Sequence, residues 1–224
     1  MPQNAPEIVA GVVLAAGAGR RMGFKPKALL RRDGQPLMAR QIGLLAQCGV
    51  RRIVVVLGHH AEQVVPVLAA TAAELPVVDL TWVVNPAPDE GTGASLRCAL
   101  AALPAGLVGV LVLLSDQPLL QAGDVAAVLA AWRARPAGID LVLPTHNGQP
   151  GHPLVFGTQV RQAASQSRGG AGVREWRRAH PGQVLALTVD HPRCTLDIDT
   201  EDDLARLATE FGVGLSWPET DLRP

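Results

Sequence analysis

Tyrosine is missing from this 224-residue chain, and all aromatic residues together make up 3%. With so few rings the chain has no stacking platform for single-stranded nucleic acid. Charge is sparse too, at 18%, and twenty basic residues balance twenty acidic ones. No net field draws the protein to nucleic acid or to a membrane surface, so any phosphate chemistry has to come from a few placed cations. The three cysteines, Cys48, Cys98 and Cys194, form no CxxC pair. That argues against a zinc knuckle and a disulfide framework and suits a reducing compartment, so the cytoplasm is the expected location. Long hydrophobic runs are also missing. The apolar stretches at 8–14 and 107–114 are strand-sized, and the first has no basic flank, so neither a membrane span nor a targeting segment is expected.

What the chain does have is apolar content, 48%, enough to bury a substantial core. At about 150 residues per domain the length permits one large domain or two small ones. No repeat or long linker divides it, so a single domain over 8–212 and a loose tail at 213–224 are expected. Runs at 8–14, 52–57, 80–84, 108–114 and 140–143 barely alternate and read as strands buried on both faces. Between them, 36–47, 61–70, 94–103 and 124–132 carry helical content, with Pro36 in a first turn and Asp124 as an N-cap. This alternation predicts an α/β fold with a doubly wound, mostly parallel sheet flanked by helices. Beyond Pro144 the sequence gives a turn at Asn147-Gly148, a short strand at 154–156 and a Gly/Ser-rich loop at 165–172. A strand at 184–189 and a final helix at 202–211 follow.

The first strand feeds straight into Leu14-Ala15-Ala16-Gly17-Ala18-Gly19-Arg20-Arg21-Met22-Gly23. Small residues and three glycines let the backbone approach a ligand closely and turn N–H groups toward anionic oxygens. This is no Walker A loop, because neither Gly17 nor Gly19 leads into GxxxxGK[ST]. It narrowly misses the dinucleotide fingerprint GxGxxG, placing Met22 where Gly or Ala is needed. Arg20, Arg21, Lys25 and Lys27 put four cations within eight residues, and Pro26 opposes the helix a dinucleotide site would start there. Such a loop suits a triphosphate; the same residues also suit a solvated surface loop.

Asp116 follows the fourth strand-like run, at the carboxyl edge where α/β sheets bind ligands and beside the loop after the first strand. It can hold Mg²⁺ together with substrate phosphates, or serve as a turn or cap residue. Asp197 and Asp199 alternate with Leu196 and Ile198, so on an extended piece they share one face. Thr200 and the acids at 201–203 suit the cap and first turn of the last helix, which leaves Asp197 and Asp199 needing another role. Ser95, in Gly91-Thr92-Gly93-Ala94-Ser95 at a helix start, can bond a nucleobase or satisfy the backbone. His152 is a lone loop histidine with no Ser or Cys nearby for a triad. The adjacent His59 and His60 make a poor metal pair.

Together these segments resemble the MobA-like nucleotidyltransferases, and within them the molybdenum cofactor cytidylyltransferases. The motif LAAGxSxRMGxxK is similar to Leu14, Ala15, Ala16, Gly17, Arg21, Met22, Gly23 and, with one extra residue, Lys27. NPxxxxGxxxSL matches Asn85, Pro86, Gly91, Ser95 and Leu96; DxP matches Asp116 and Pro118; GHP matches 151–153. DIDTPEDL matches Asp197 to Thr200, Asp203 and Leu204. The resemblance runs from about residue 8 to 210. It implies a Rossmann-like nucleotidyltransferase fold and transfer of CMP from CTP to the terminal phosphate of molybdopterin, with Mg²⁺ as cofactor and pyrophosphate released. It implies that Arg21, Lys27 and Asp116 are catalytic and that Asp116 and Asp199 hold the metal. Leu14, Ala15, Ala16, Gly17, Gly19, Arg21, Lys27, Gly93, Ser95 and His152 would bind the substrates.

A phosphorylated pterin and a receiving molybdoenzyme apoprotein are the partners implied, with no nucleic acid and no membrane. Asp116 and Asp199 are expected at neighbouring strand ends, with Asp197 set back about 6.5 Å along a strand. Departures are Gly19 where Ser is usual, Glu201 for Pro, and Gly170 for the acid of GDxGAR. The extra residue makes Lys25 a rival to Lys27; Pro26-Lys27 before Leu29-Leu30 reproduces PKxLL and favours Lys27. A molybdopterin guanylyltransferase, a sugar-phosphate nucleotidyltransferase and a methylerythritol-phosphate cytidylyltransferase are the alternatives. A non-catalytic cofactor carrier would be expected to have lost a cation or a carboxylate, and both kinds are kept.

Overall fold

Strand and helix alternate along the chain in a computed structural model that describes residues 9–167 and 172–218. In chain order the elements begin β1 (Val9–Ala15), β2 (Arg31–Arg32), β3 (Gln35–Pro36), α1 (Leu37–Gln47), β4 (Arg52–Leu57) and α2 (Ala61–Glu74). Next come β5 (Asp79–Val84), α3 (Thr92–Ala102), β6 (Gly109–Leu114), α4 (Ala122–Arg133), β7 (Leu141–His146), β8 (Gln149–Pro150) and β9 (Leu154–Phe156). The chain continues through α5 (Thr158–Gln166), α6 (Val173–Ala179), β10 (Val184–Thr188), α7 (Glu201–Phe211) and β11 (Leu215–Ser216).

The main sheet runs β10-β7-β9-β6-β1-β4-β5, with β8 added to β7. Strands β6, β1, β4 and β5 are mutually parallel, as are β7 and β10. Strand β9 lies antiparallel between β6 and β7. Alternate residues of β1 feed two cores: Val13 packs with α1, α2 and α4 on one face, and Val12 with α3, α5 and α6 on the other. Helices on both faces explain why the central strands are apolar throughout. The fold is the expected mostly parallel, doubly wound α/β sheet. A third, smaller core gathers Met22, Leu30, Leu37, Leu119, Ile198 and Leu207 beside the loop after β1.

Four local expectations need correction. β5 is not buried on both faces: it is the edge strand, and Trp82 and Val84 are exposed. Asp124 is not an N-cap but the third residue of α4; its carboxylate accepts from the Gln121 N–H at 2.9 Å, so Gln121 is the cap. Pro36 precedes α1 and pairs with Arg31 in the short β2–β3 ladder. The stretch after Phe211 is not loose throughout, because Leu215–Ser216 pair with β2 and Val213, Leu215 and Trp217 pack on the third core. Gly170 and the rest of 168–171, half of the expected Gly/Ser loop, lie outside the described residues, while Ser165 and Gln166 form the end of α5.

Candidate functional site

Because β1 and β6 are adjacent and parallel, with Leu14 beside Leu114, the segments that follow them leave the same edge of the sheet. Ser115 N–H donates to the Leu14 carbonyl at 3.1 Å, extending the ladder by one bond. The loop after β1 then turns sharply. Gly19 has φ +62°, and its carbonyl accepts from Met22 and Phe24 N–H at 2.9 and 3.0 Å. A Cβ on Gly19 would stand 2.2 Å from the Lys25 carbonyl oxygen, so a side chain is excluded by both conformation and space. The usual serine does not fit the loop as it folds here. After the turn the chain doubles back and brings Lys27 under the sheet edge.

There the Lys27 ammonium donates to Asp116 Oδ2 at 2.5 Å, Asp199 Oδ1 at 2.9 Å and the Ile198 carbonyl at 2.7 Å. Arg21 Nη2 donates to Asp199 Oδ2 at 2.5 Å from a mostly exposed position. Lys25, the rival lysine, instead lies 5.0 Å over the Trp217 ring. Asp116, Asp197 and Asp199 each offer an oxygen, and these lie within 4.8 Å of one another. The expectation that Asp197 sits apart on a strand is overturned. Residues 195–200 form no strand but an irregular segment, pinned by Ile198 N–H donating to the Asp116 carbonyl at 3.0 Å. Thr200 does cap α7, in a reciprocal capping box with Asp203.

The electrostatics follow from three acids meeting two cations. Burial works against the Lys27 charge, but Asp116 and then Asp199 outweigh it, and the Lys27 pKa is raised. Burial also opposes ionisation of Asp199, yet Lys27 and Arg21 pull its pKa below the ordinary range. Among the described residues Asp197 makes no ion pair; burial, then Asp116 and Asp199, push its pKa up. Three hard oxygen donors from three carboxylates fit a divalent cation such as Mg²⁺ or Mn²⁺. The excess of acid over base in the cluster favours one as well.

A cavity of about 300 Å³ opens here, lined by Leu14, Ala15, Ala16, Gly17, Lys27, Ser95, Asp116 and Asp197 among others. Ser95 is buried, and its Oγ accepts from Asn85 Nδ2 at 3.1 Å rather than from the backbone. A second cavity of about 370 Å³ shares Leu14 and Thr92 with the first and is also lined by Gly93, His152, Arg174 and Arg177. Gly93 and His152 therefore face the second cavity rather than the Lys27 cluster. Burial lowers the His152 pKa to about 4, so the imidazole is neutral at pH 7. Gly151, beside it, admits no side chain: a Cβ would lie 2.3 Å from the Cys194 carbonyl oxygen.

One contributor carried no sequence signal of its own. Gln117 is buried and donates through Nε2 to the Cys194 carbonyl at 2.9 Å, while its own carbonyl accepts from Gln41 Nε2 at 2.8 Å. These bonds hold the Asp116 loop in place. His60 Nε2 lies 3.0 Å from the Ala18 carbonyl, and His59 and Arg20 both contact Asp89 at the rim. Arg174 and Arg177, three apart on one helix, were the signal available for the second cavity.

Comparison with known proteins agrees with this geometry. The bifunctional protein GlmU of Mycobacterium avium (strain 104) is 35% identical over 165 residues, 72% of this chain and 33% of that protein. The chain thus spans about a third of the length of the curated relatives it matches. Rv0371c from Mycobacterium tuberculosis H37Rv superimposes with a TM-score of 0.72 at 30% identity, covering 92% of this chain and 100% of that one. Its manganese complex superimposes at 0.67 and 29% identity, covering 89% and 97%. Among the described residues no helix is long and apolar enough to cross a membrane. Residues 11–184 match the MobA-like NTP transferase domain, so the chain belongs to that family of nucleotidyltransferases.

Proposed function

We propose that the protein transfers CMP from CTP onto the terminal phosphate of molybdopterin, releases pyrophosphate and delivers the product to a molybdoenzyme apoprotein. The observation that carries the reading is the meeting of the glycine loop, Lys27 and three carboxylates at one sheet edge. The acceptor phosphate is already ionised, so no general base is required; its oxygen attacks the α-phosphorus in line as the bond to pyrophosphate breaks. The chain's work is positioning and charge neutralisation. Backbone N–H groups of 15–17 face the phosphates, Arg21 reaches the β- and γ-oxygens, and Lys27 offsets charge around the α-phosphoryl group. Asp116, Asp199 and Asp197 would hold a divalent cation, Mg²⁺ in this reading, which supplies further neutralisation of phosphate charge. The preference for CTP rests on the small-residue turn Leu14 to Gly17 and on Ser95.

Similarity to GlmU is the observation on the side of a second reading, in which the acceptor is a sugar phosphate. Pyrophosphate release decides between them. CTP, GTP, ATP and UTP are each assayed with Mg²⁺ or Mn²⁺ against molybdopterin, sugar phosphates and methylerythritol phosphate. CTP with molybdopterin is expected to react fastest. Equal or faster release with GTP would assign a guanylyltransferase, and reaction only with sugar phosphates would establish the second reading. Silence across the panel would leave a cofactor carrier.

A further inference from the structure

Among the described residues, the second cavity contains an arginine without an anionic partner. Arg177 is partly buried and lines the cavity together with Arg174. Among the described residues it makes no ion pair and no hydrogen bond. Burial, then the like charges of Arg178 and Arg174, lower its pKa. Glu175 also lines the cavity, and its carboxylate is engaged by the Gly172 N–H, from which it accepts at 2.7 Å, rather than by Arg177. Holding a guanidinium partly out of water beside a second one costs free energy that nothing in the described residues offsets. Leu96, Val112 and Leu154 give the same cavity an apolar part of its wall.

We propose that this cavity seats the acceptor, and that Arg177 with Arg174 binds an anionic group of the acceptor other than the phosphate that reacts. The inference rests on the nucleotidyltransferase reading of the first cavity. The reacting phosphate has to reach the α-phosphorus beside Lys27 and Asp116, and neither arginine lines that cavity. The two cavities share Leu14 and Thr92, so one molecule can extend from the first into the second. Its remote part then meets an apolar wall suited to a flat ring and two guanidinium groups suited to an oxyanion or thiolate. The acceptor is therefore a ring-bearing molecule with two separate anionic ends.

Phenyl phosphate, which joins a flat ring to one anion, is the probe. It is titrated into protein saturated with Mg²⁺ and CTP, following the ¹⁵N-Hε resonances of arginine, with phenol as the neutral control. The Arg177 resonance is expected to shift, phenol to leave it unmoved, and Arg177→Met to weaken binding by about tenfold or more, which is 1.4 kcal/mol. Arg177→Lys keeps the charge and loses the fork, so it falls between the two. Thermal melting checks that both variants are folded. Absence of binding, binding that moves other arginines only, or equal affinity in wild type and Arg177→Met would overturn the proposal. Lys27→Ala separates the two readings: phenyl phosphate still binds while turnover falls. If CTP does not bind at all and Arg177 still responds, the proposed function fails and the anion site stands.

Discussion

Replacing Lys27 with methionine keeps the aliphatic stem and removes the ammonium that joins three segments of the site. In the wild type that group makes three contacts of 2.5, 2.7 and 2.9 Å, to Asp116, Ile198 and Asp199. Lys27 is 15% exposed and Asp116 17%, so the pair is largely out of solvent. Removing one partner of a buried pair costs about 3–5 kcal/mol; Asp199, at 38% exposed, is screened and moves the expectation to about 2–3 kcal/mol. For a chain of this size that is a fall in Tm of roughly 4–12 °C without metal. Lys27 has a raised pKa, so its contribution is full below its unfolded value of 10.5 and is lost only as pH rises through the folded one. The gap between variant and wild type should thus be flat across the neutral range.

Mn²⁺ should then close much of that gap in Lys27→Met and help the wild type less, because the ion supplies the missing charge. An ion at a hundred times its Kd restores about 2.7 kcal/mol. Turnover should nonetheless stay down by at least about a hundredfold. Differential scanning fluorimetry with and without Mn²⁺, beside pyrophosphate release, reads all three quantities. A Lys27→Met protein that melts with the wild type and ignores Mn²⁺ would refute the reasoning, as would loss of turnover in Lys25→Ala instead.

Asp116→Asn and Asp199→Asn should each weaken Mn²⁺ binding, followed by electron paramagnetic resonance of the free ion; an unchanged titration in both removes the carboxylate site. Asp197→Asn should melt above wild type without metal, since Asp197 is charged against burial and two like neighbours, yet bind Mn²⁺ less well. A lower Tm for that variant would show that repulsion is not the governing effect. Gly19→Ala should cost about 1–3 kcal/mol, because the position combines φ +62° with a 2.2 Å approach to Lys25; a melting curve like wild type would mean the loop refolds freely. His152 has a folded pKa lowered from 6.5 to about 4, so below 6.5 the unfolded chain takes the proton first and stability falls with pH until about 4. His152→Asn should flatten that part of the pH–Tm profile, and an unchanged slope would place its origin elsewhere.

The parts of the site that could be read in advance are those tied to parallel strands. Asp116 and the glycine loop were brought together because strands leaving one sheet edge in one direction deliver their following residues to one place. Lys27 could be told from Lys25 only through the family resemblance, Pro26 and Leu29-Leu30 reproducing its PKxLL element. Asp197 could not, since alternating acids suggest a strand, whereas a single backbone bond from Ile198 to Asp116 holds the segment irregular. β5 has the composition of a central strand, and only the strand order exposes Trp82 and Val84. Gln121 outcompeted Asp124 as cap because Asp124 can serve the same helix from its third position. Arg174 and Arg177 line a cavity only because α6, through Trp176, packs into the core that also holds Val112 of β6 and Leu154 of β9.

The Cys194 carbonyl oxygen described above accepts at once from Gln117 Nε2 at 2.9 Å and from His152 N–H at 2.8 Å. One of those donors belongs to the loop that carries Asp116, the other to the loop that walls the second cavity, and Cys194 itself lies three residues before Asp197. A single peptide oxygen is thus the common anchor of the loop beside the three carboxylates and the loop beside the second cavity. Any shift of the His152 loop would therefore act on the same oxygen that holds Gln117, the residue after Asp116.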